Sequence, residues 1–154
     1  MAHTYTQIYI HYVFATHRRL RAFDQDRQKE LYDYIAGIIR SMQCFVQCIG
    51  GMEDHVHILI GMHPSVSISD CAGKIKANST RFVNEKGWAL GKFSWQEGYG
   101  AFSVSQSNLE AVRAYIKDQR NHHLGKDFIE EYEALLRRHN VAHDQKYIFV
   151  EVED

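Results

Sequence analysis

The sequence predicts an α+β fold of the ferredoxin-like (split βαβ) type, an antiparallel sheet with helices on one face. Three observations lead there. Apolar residues alternate with period two in some segments and recur at helical spacing in others. These segments run strand, helix, strand, strand, helix, strand. Turn residues separate them, with no Pro/Gly/Ser-rich linker and only one proline, Pro64. At 154 residues the chain suits a single domain, 1–154, given about 100–200 residues per domain. A composition of 45% hydrophobic and 24% charged residues excludes a disordered or collagen-like chain.

Taken in order, Thr4 to Ala15 (TYTQIYIHYVFA) alternates and is rich in Ile, Tyr, Val and Phe, as a strand requires. Asp24 is placed to cap a helix reaching about Met42, with Leu31, Tyr34, Ile35, Ile38 and Ile39 on its inner side. Cys44–Ile49 and His55–Met62 read as a hairpin turned by Gly50-Gly51 and Glu53-Asp54. After Pro64, Ser65, Ser67 or Ser69 caps a helix to about Lys86, with Ile68, Cys71, Ile75, Ser79 and Phe82 along one side. Phe93–Trp95 and Tyr99–Ser105 read as short strands around Gly98-Tyr99-Gly100. Ser107 or Asn108 starts an added helix to about His123, Lys126–Asn140 is a C-terminal helix, and Tyr147–Val152 reads as a last strand. Such a sheet leaves a face or edge free for a ligand or a second subunit.

The net charge of −1 hides an asymmetry: residues 1–126 hold 15 basic and 11 acidic side chains, residues 127–154 hold 3 and 8. Arg18, Arg19 and Arg21 form one basic patch; Lys74, Lys76, Arg81 and Lys86 form another. Such patches attract phosphate, although a solvated helix face has the same composition. No apolar run reaches the ~18 residues of a membrane span. The first residues lack a secretory pattern, and three cysteines are too few for a disulfide framework. A cytoplasmic location is expected. The glycine pairs lack the Lys-Ser/Thr of a nucleotide loop.

His55-Val56-His57 is the sharpest local signal. On a strand, Val56, Ile58 and Ile60 face one way, and His55, His57 and Leu59 face the other. Two imidazoles about 6.5–7 Å apart along the backbone can converge on one cation. A polar strand face gives the same pattern by chance, and two ligands do not complete a site. On the helix from Asn108, Tyr115 and Gln119 stand four residues apart and share a face, with Leu109, Val112 and Ile116 opposite. Two imidazoles and an amide oxygen with open positions suit Mg²⁺ or Mn²⁺ over a phosphate. A tyrosine nucleophile would then give phosphoryl transfer through a phosphotyrosine ester.

The stretches HYVFATHRR (11–19), GGMEDHVHILI (50–60), IKANSTRFVNE (75–85), FSWQEGYGAFSVS (93–105) and AYIKDQRNHH (114–123) carry a family resemblance. Together they resemble the single-tyrosine His-hydrophobe-His transposases of the insertion-sequence 200/605 family. The resemblance implies cutting and rejoining of single-stranded DNA at element ends. Tyr115 would be the nucleophile, holding a 5′-phosphotyrosine; His55, His57 and Gln119 would bind the divalent metal. It also implies DNA hairpins as substrates, and a homodimer in which the tyrosine of one subunit can serve the other in trans. Arg18, Arg19, Lys74, Lys76 and Arg81 become candidates for phosphate contacts. Tyr99, Phe102 and Trp95 are candidates for base stacking or for the core, and His11 and His17 for support of the site or for structure. The acidic segment from Asp127 lies outside the matching stretches. The competing readings are a non-catalytic nucleic-acid-binding module on the same sheet and a hydrolase using water instead of tyrosine.

Overall fold

The computed structural model describes residues 3–122 and 127–143, with the side chains of 121 and 122 left aside. Its elements are β1 (Tyr9–Ala15), α1 (Gln25–Ser41), β2 (Phe45–Met52), β3 (His55–Gly61), α2 (Ile68–Lys86), β4 (Gly100–Val104), α3 (Leu109–Lys117), α4 (Gln119–His122) and α5 (Phe128–Arg138). Single 3₁₀ turns occupy His17–Arg19 and Gln106–Asn108. The sheet runs β2-β3-β1-β4 with every neighbour antiparallel, the strand order of the split βαβ frame.

Alternation divides the sheet into two faces. Ile10, Tyr12 and Phe14 of β1 and Val56, Ile58 and Ile60 of β3 turn to one side, where Leu31, Ile35 and Ile39 of α1 and Cys71, Ile75 and Val83 of α2 cover them. Asp24 accepts from the Arg27 amide at the start of α1, and Ser67 does the same for Asp70 at the start of α2. The last turn of α2 closes on left-handed Gly87.

The opposite face is not free. Seven consecutive residues of β3 are buried, so both sides of that strand are covered. Leu109 and Ile116 of α3 pack on Cys48, Leu59 and Val104. Phe128, Leu135 and Leu136 of α5 pack on Val13, Ala15 and Phe102. Burial of each large apolar side chain contributes roughly 1.5–3 kcal/mol, which an uncovered face would forgo.

Other expectations shift locally. Strand β1 begins at Tyr9, not Thr4. Phe93–Trp95 forms no strand, because the Asn84 side chain takes both the N–H and the C=O of Phe93; only Trp95 bridges to Thr16. The helix expected from Asn108 to His123 breaks at Asp118, whose φ of −102° and ψ of 33° leave the helical region. The expected strand at Tyr147–Val152, residue His123 and residue Lys126 lie outside the described residues. Cys44, Cys48 and Cys71 are free and buried, and Trp95 and Phe102 belong to the core. Among the described residues no helix is long and apolar enough to cross a membrane.

Candidate metal and nucleophile site

The site grows from β3. His55 and His57 project from the face that carries α3 and α5, with side chains 1% and 0% exposed. A buried imidazole needs partners on both ring nitrogens, and each has them. His55 Nδ1 donates to Asp54 Oδ1 at 2.8 Å, while His55 Nε2 faces Gln119 Oε1 at 3.2 Å and Glu131 Oε1 at 3.3 Å. His57 Nε2 donates to Glu131 Oε1 at 2.9 Å, and its Nδ1 meets His11 Nε2 at 2.8 Å. Glu131 Oε2 accepts from the Tyr115 hydroxyl. One carboxylate therefore joins both histidines to the tyrosine. Atoms of His55, His57 and Glu131 lie within 4.8 Å of one another, close enough to share a single cation.

Backbone proximity brings Tyr115 here. Gly50, the residue on β2 opposite His57, faces α3. A Cβ at Gly50 would stand 2.3 Å from the Ile116 carbonyl oxygen, so only glycine admits α3 at this depth. The ring of Tyr115 then lies edge-on to His57, centroids 5.7 Å apart. Glu131 comes from the far end of the chain. It occupies the inward stripe of α5 between Phe128 and Leu135 and is 4% exposed.

The charges follow from this wiring. Burial pushes His55 down, but hydrogen bonds and charges from Asp54 and Glu131 outweigh it and hold the imidazole up at about 9. Both nitrogens of His55 face acceptors, as an imidazolium requires. Burial, reinforced by His57, drives His11 down to about 3 and keeps it neutral. Asp54 is held below the usual carboxylate range: burial opposes this, and His55, Arg19 and Arg21 overcome it. Burial and the Glu131 charge raise Tyr115, so its oxygen carries a proton.

Of the candidates from the sequence, Tyr115, His55, His57 and Gln119 meet at this point. The basic candidates do not. Arg19 sits beside the site, its Nε 3.6 Å from Asp54 Oδ2 and its guanidinium over the Phe128 ring. Arg18 is exposed on the same turn, in left-handed backbone (φ 55°). Lys74, Lys76 and Arg81 belong to α2, across the sheet. Lys74 and Arg81 are exposed, Arg81 reaching Asn78. Lys76 is half-buried and donates to the carbonyls of Gln96 (2.8 Å) and Gly98. Sequence reasoning missed Glu131 and Asp54. The signal for Glu131 was an acid inside the apolar stripe Phe128, Leu135, Leu136.

A ferredoxin-like sheet presenting paired histidines, a carboxylate and a tyrosine defines the class of tyrosine-bearing, metal-competent sites on such sheets. Comparison with known proteins narrows the class: residues 4–119 match the family model "Transposase IS200 like". The chain belongs to that family and is a DNA transposase, an enzyme that cleaves and transfers DNA strands. It is 28% identical over 130 residues to the transposase for insertion sequence element IS200 of Salmonella typhimurium, covering 77% of this chain and 81% of that protein. The Salmonella typhi counterpart matches equally. A solved structure described as a transposase from Deinococcus radiodurans superposes with a TM-score of 0.61 at 22% identity, over 80% of this chain and 96% of that one. A REP-associated tyrosine transposase bound to a REP hairpin superposes at 0.60 and 14% identity, over 100% and 96%.

Proposed function

We propose that the protein cuts and rejoins single-stranded DNA at insertion-sequence ends through a 5′-phosphotyrosine on Tyr115, with Mg²⁺ or Mn²⁺ as cofactor. One observation carries the reading: the Tyr115 hydroxyl and the Nε2 atoms of His55 and His57 converge on the same carboxylate. His55, His57 and Glu131 would hold the metal, with the Gln119 amide oxygen 3.2 Å from His55 Nε2 as a further ligand. The donor set fits a hard divalent cation accepting imidazole and oxygen. When bound, such a cation neutralises charge developing on the scissile phosphate.

The chain's own residues perform the rest. Tyr115 Oη forms a bond to phosphorus, the bond from phosphorus to the 3′ oxygen breaks, and a 3′ hydroxyl leaves. The phenolic proton passes to Glu131 Oε2, which already accepts it in a hydrogen bond, and from there to the departing 3′ oxygen, which leaves as the hydroxyl. Rejoining reverses each movement, the proton returning to Tyr115 as it departs. Asp54 and His11 orient the two histidines through their Nδ1 atoms.

Glu131 enters the site from the C-terminal helix, which supports the whole chain, 1–154, acting as one catalytic domain. Hairpin-bearing single strands are the substrates, in keeping with the hairpin held by the REP-associated neighbour. Arg18 and Arg19 contact phosphate beside the site, and Lys74, Lys76 and Arg81 belong to the second basic patch. We place the protein in the cytoplasm as a homodimer. Within one chain the Tyr115 hydroxyl reaches Glu131, and exchange of α3 between subunits would give the trans arrangement. The test is incubation with an oligonucleotide carrying the element end and Mn²⁺. A denaturation-resistant protein–DNA species forms, and Tyr115→Phe abolishes it while binding persists; an adduct with the Phe variant refutes the assignment.

A further inference from the structure

Beside the metal site lies a cavity of about 340 Å³ that the chemistry above does not use. Val13 and Ala15 line it along β1, Phe128, Tyr132 and Leu136 line it along α5, and the loop 96–99 and His143 close its border, the Tyr99 ring itself turning across the sheet to Tyr12 and Phe14. Val13 and Ala15 pair across β1 and β3 with His57 and His55, so the cavity opens on the same sheet face, one strand spacing of about 4.8 Å away. Phe128 is the shared wall, its ring centroid 4.5 Å from that of His55.

The walls are held in place. Lys76, from the far side of the sheet, fixes the loop that carries Tyr99 by donating to the carbonyls of Gln96 and Gly98. Gly100 lets Tyr132 approach: a Cβ there would stand 2.7 Å from the Tyr132 ring. We propose that this cavity takes an unpaired nucleobase of the DNA strand, the one next to the phosphate that Tyr115 attacks. The inference rests on the function proposed above and names a part of its substrate.

The apolar floor of Val13 and Ala15 and the aromatic rings of Phe128 and Tyr132 match the flat, uncharged faces of a base. Glu97 at the mouth repels phosphate, so the base enters and the backbone stays outside. Arg19, whose guanidinium stands 5.9 Å from the Phe128 ring centre on the metal-site side, is placed for that backbone.

The experiment places 4-thiothymine singly at each of the three positions on either side of the cleaved bond, in the single-stranded element end. Each strand is cross-linked to full-length Tyr115→Phe protein. The label adjoining the cleaved bond is expected to map to the peptide carrying Tyr99 or Tyr132. An abasic site at that position should weaken binding about 5- to 150-fold, but less than twofold in a Tyr132→Leu background. Cross-links elsewhere, as when another part of the chain fills the cavity, or an equal abasic penalty in both backgrounds, overturn the inference. If wild-type protein cleaves the strand, only the base pocket then fails; if it does not cleave, the proposed function fails with it.

Discussion

Replacing Gly50 by alanine adds one carbon beneath the tyrosine helix. The new Cβ would lie 2.3 Å from the Ile116 carbonyl oxygen and 3.0 Å from Ile116 Cγ2. Ordinary contact needs about 1 Å more, and the obstacle is backbone, so α3 must move away from β2. Tyr115 precedes Ile116 and moves with it. A displacement of about 1 Å at a reacting group lowers rate by about 100-fold, while overpacking costs roughly 1–3 kcal/mol of stability. The assay is single-turnover formation of the covalent adduct, with Mn²⁺ affinity and urea midpoint measured in parallel. Adduct formation should slow by about two orders of magnitude, more than Mn²⁺ affinity falls, because His55, His57 and Glu131 are not carried by α3. A Gly50→Ala protein that is folded and reacts within twofold of wild type refutes the claim that close approach of α3 sets the nucleophile.

Metal binding should depend on pH in a defined direction. The cation needs the Nε2 lone pairs of both histidines. His57 can supply its own by shifting its proton to Nδ1, matched by a tautomer change in His11, with no net release. His55, held at about 9, must lose a proton. Apparent Mn²⁺ affinity measured by calorimetry should therefore rise about tenfold per pH unit and level off above about pH 9; a flat profile contradicts the wiring. Metal-free stability runs the other way. The raised His55 value contributes fully below the unfolded value of 6.5 and is lost as pH rises through about 9, which urea unfolding at pH 6 and 9.5 checks. Asp54→Asn removes the charge that orients His55 and should weaken Mn²⁺ binding by about 10- to 100-fold, and should lower the metal-free melting temperature at pH 6 because the His55 imidazolium loses a stabilising partner. Lys76→Met should loosen the loop at 96–98, seen as faster amide exchange there, while adduct formation with an abasic strand stays near wild type.

The parts of this protein that local periodicity controls were legible in the sequence. Alternation along His55–Met62 put the two histidines on one face and Val56, Ile58 and Ile60 on the other, as found. Four-residue spacing put Tyr115 and Gln119 together, and both reach the site despite the break at Asp118. What escaped depends on contacts distant in sequence. Glu131 lies 74 positions from His57, and nothing local distinguishes it from the acids around it except its place in an apolar stripe. The same distance hides the second layer: that α5 covers β1 and β4 follows from packing of Phe128, Leu135 and Leu136, not from any pairing rule. Lys76 read as a basic surface residue because its partners are backbone carbonyls, which carry no sequence signature.

The most direct measurement digests the covalent protein–DNA species with trypsin and nuclease and finds the modified residue by mass spectrometry. Cleavage after Arg113 and Lys117 isolates the peptide Ala114–Lys117, whose only hydroxyl is that of Tyr115. The account predicts a nucleotide remnant on that tetrapeptide. A remnant on Tyr99, Tyr132 or any other residue contradicts it.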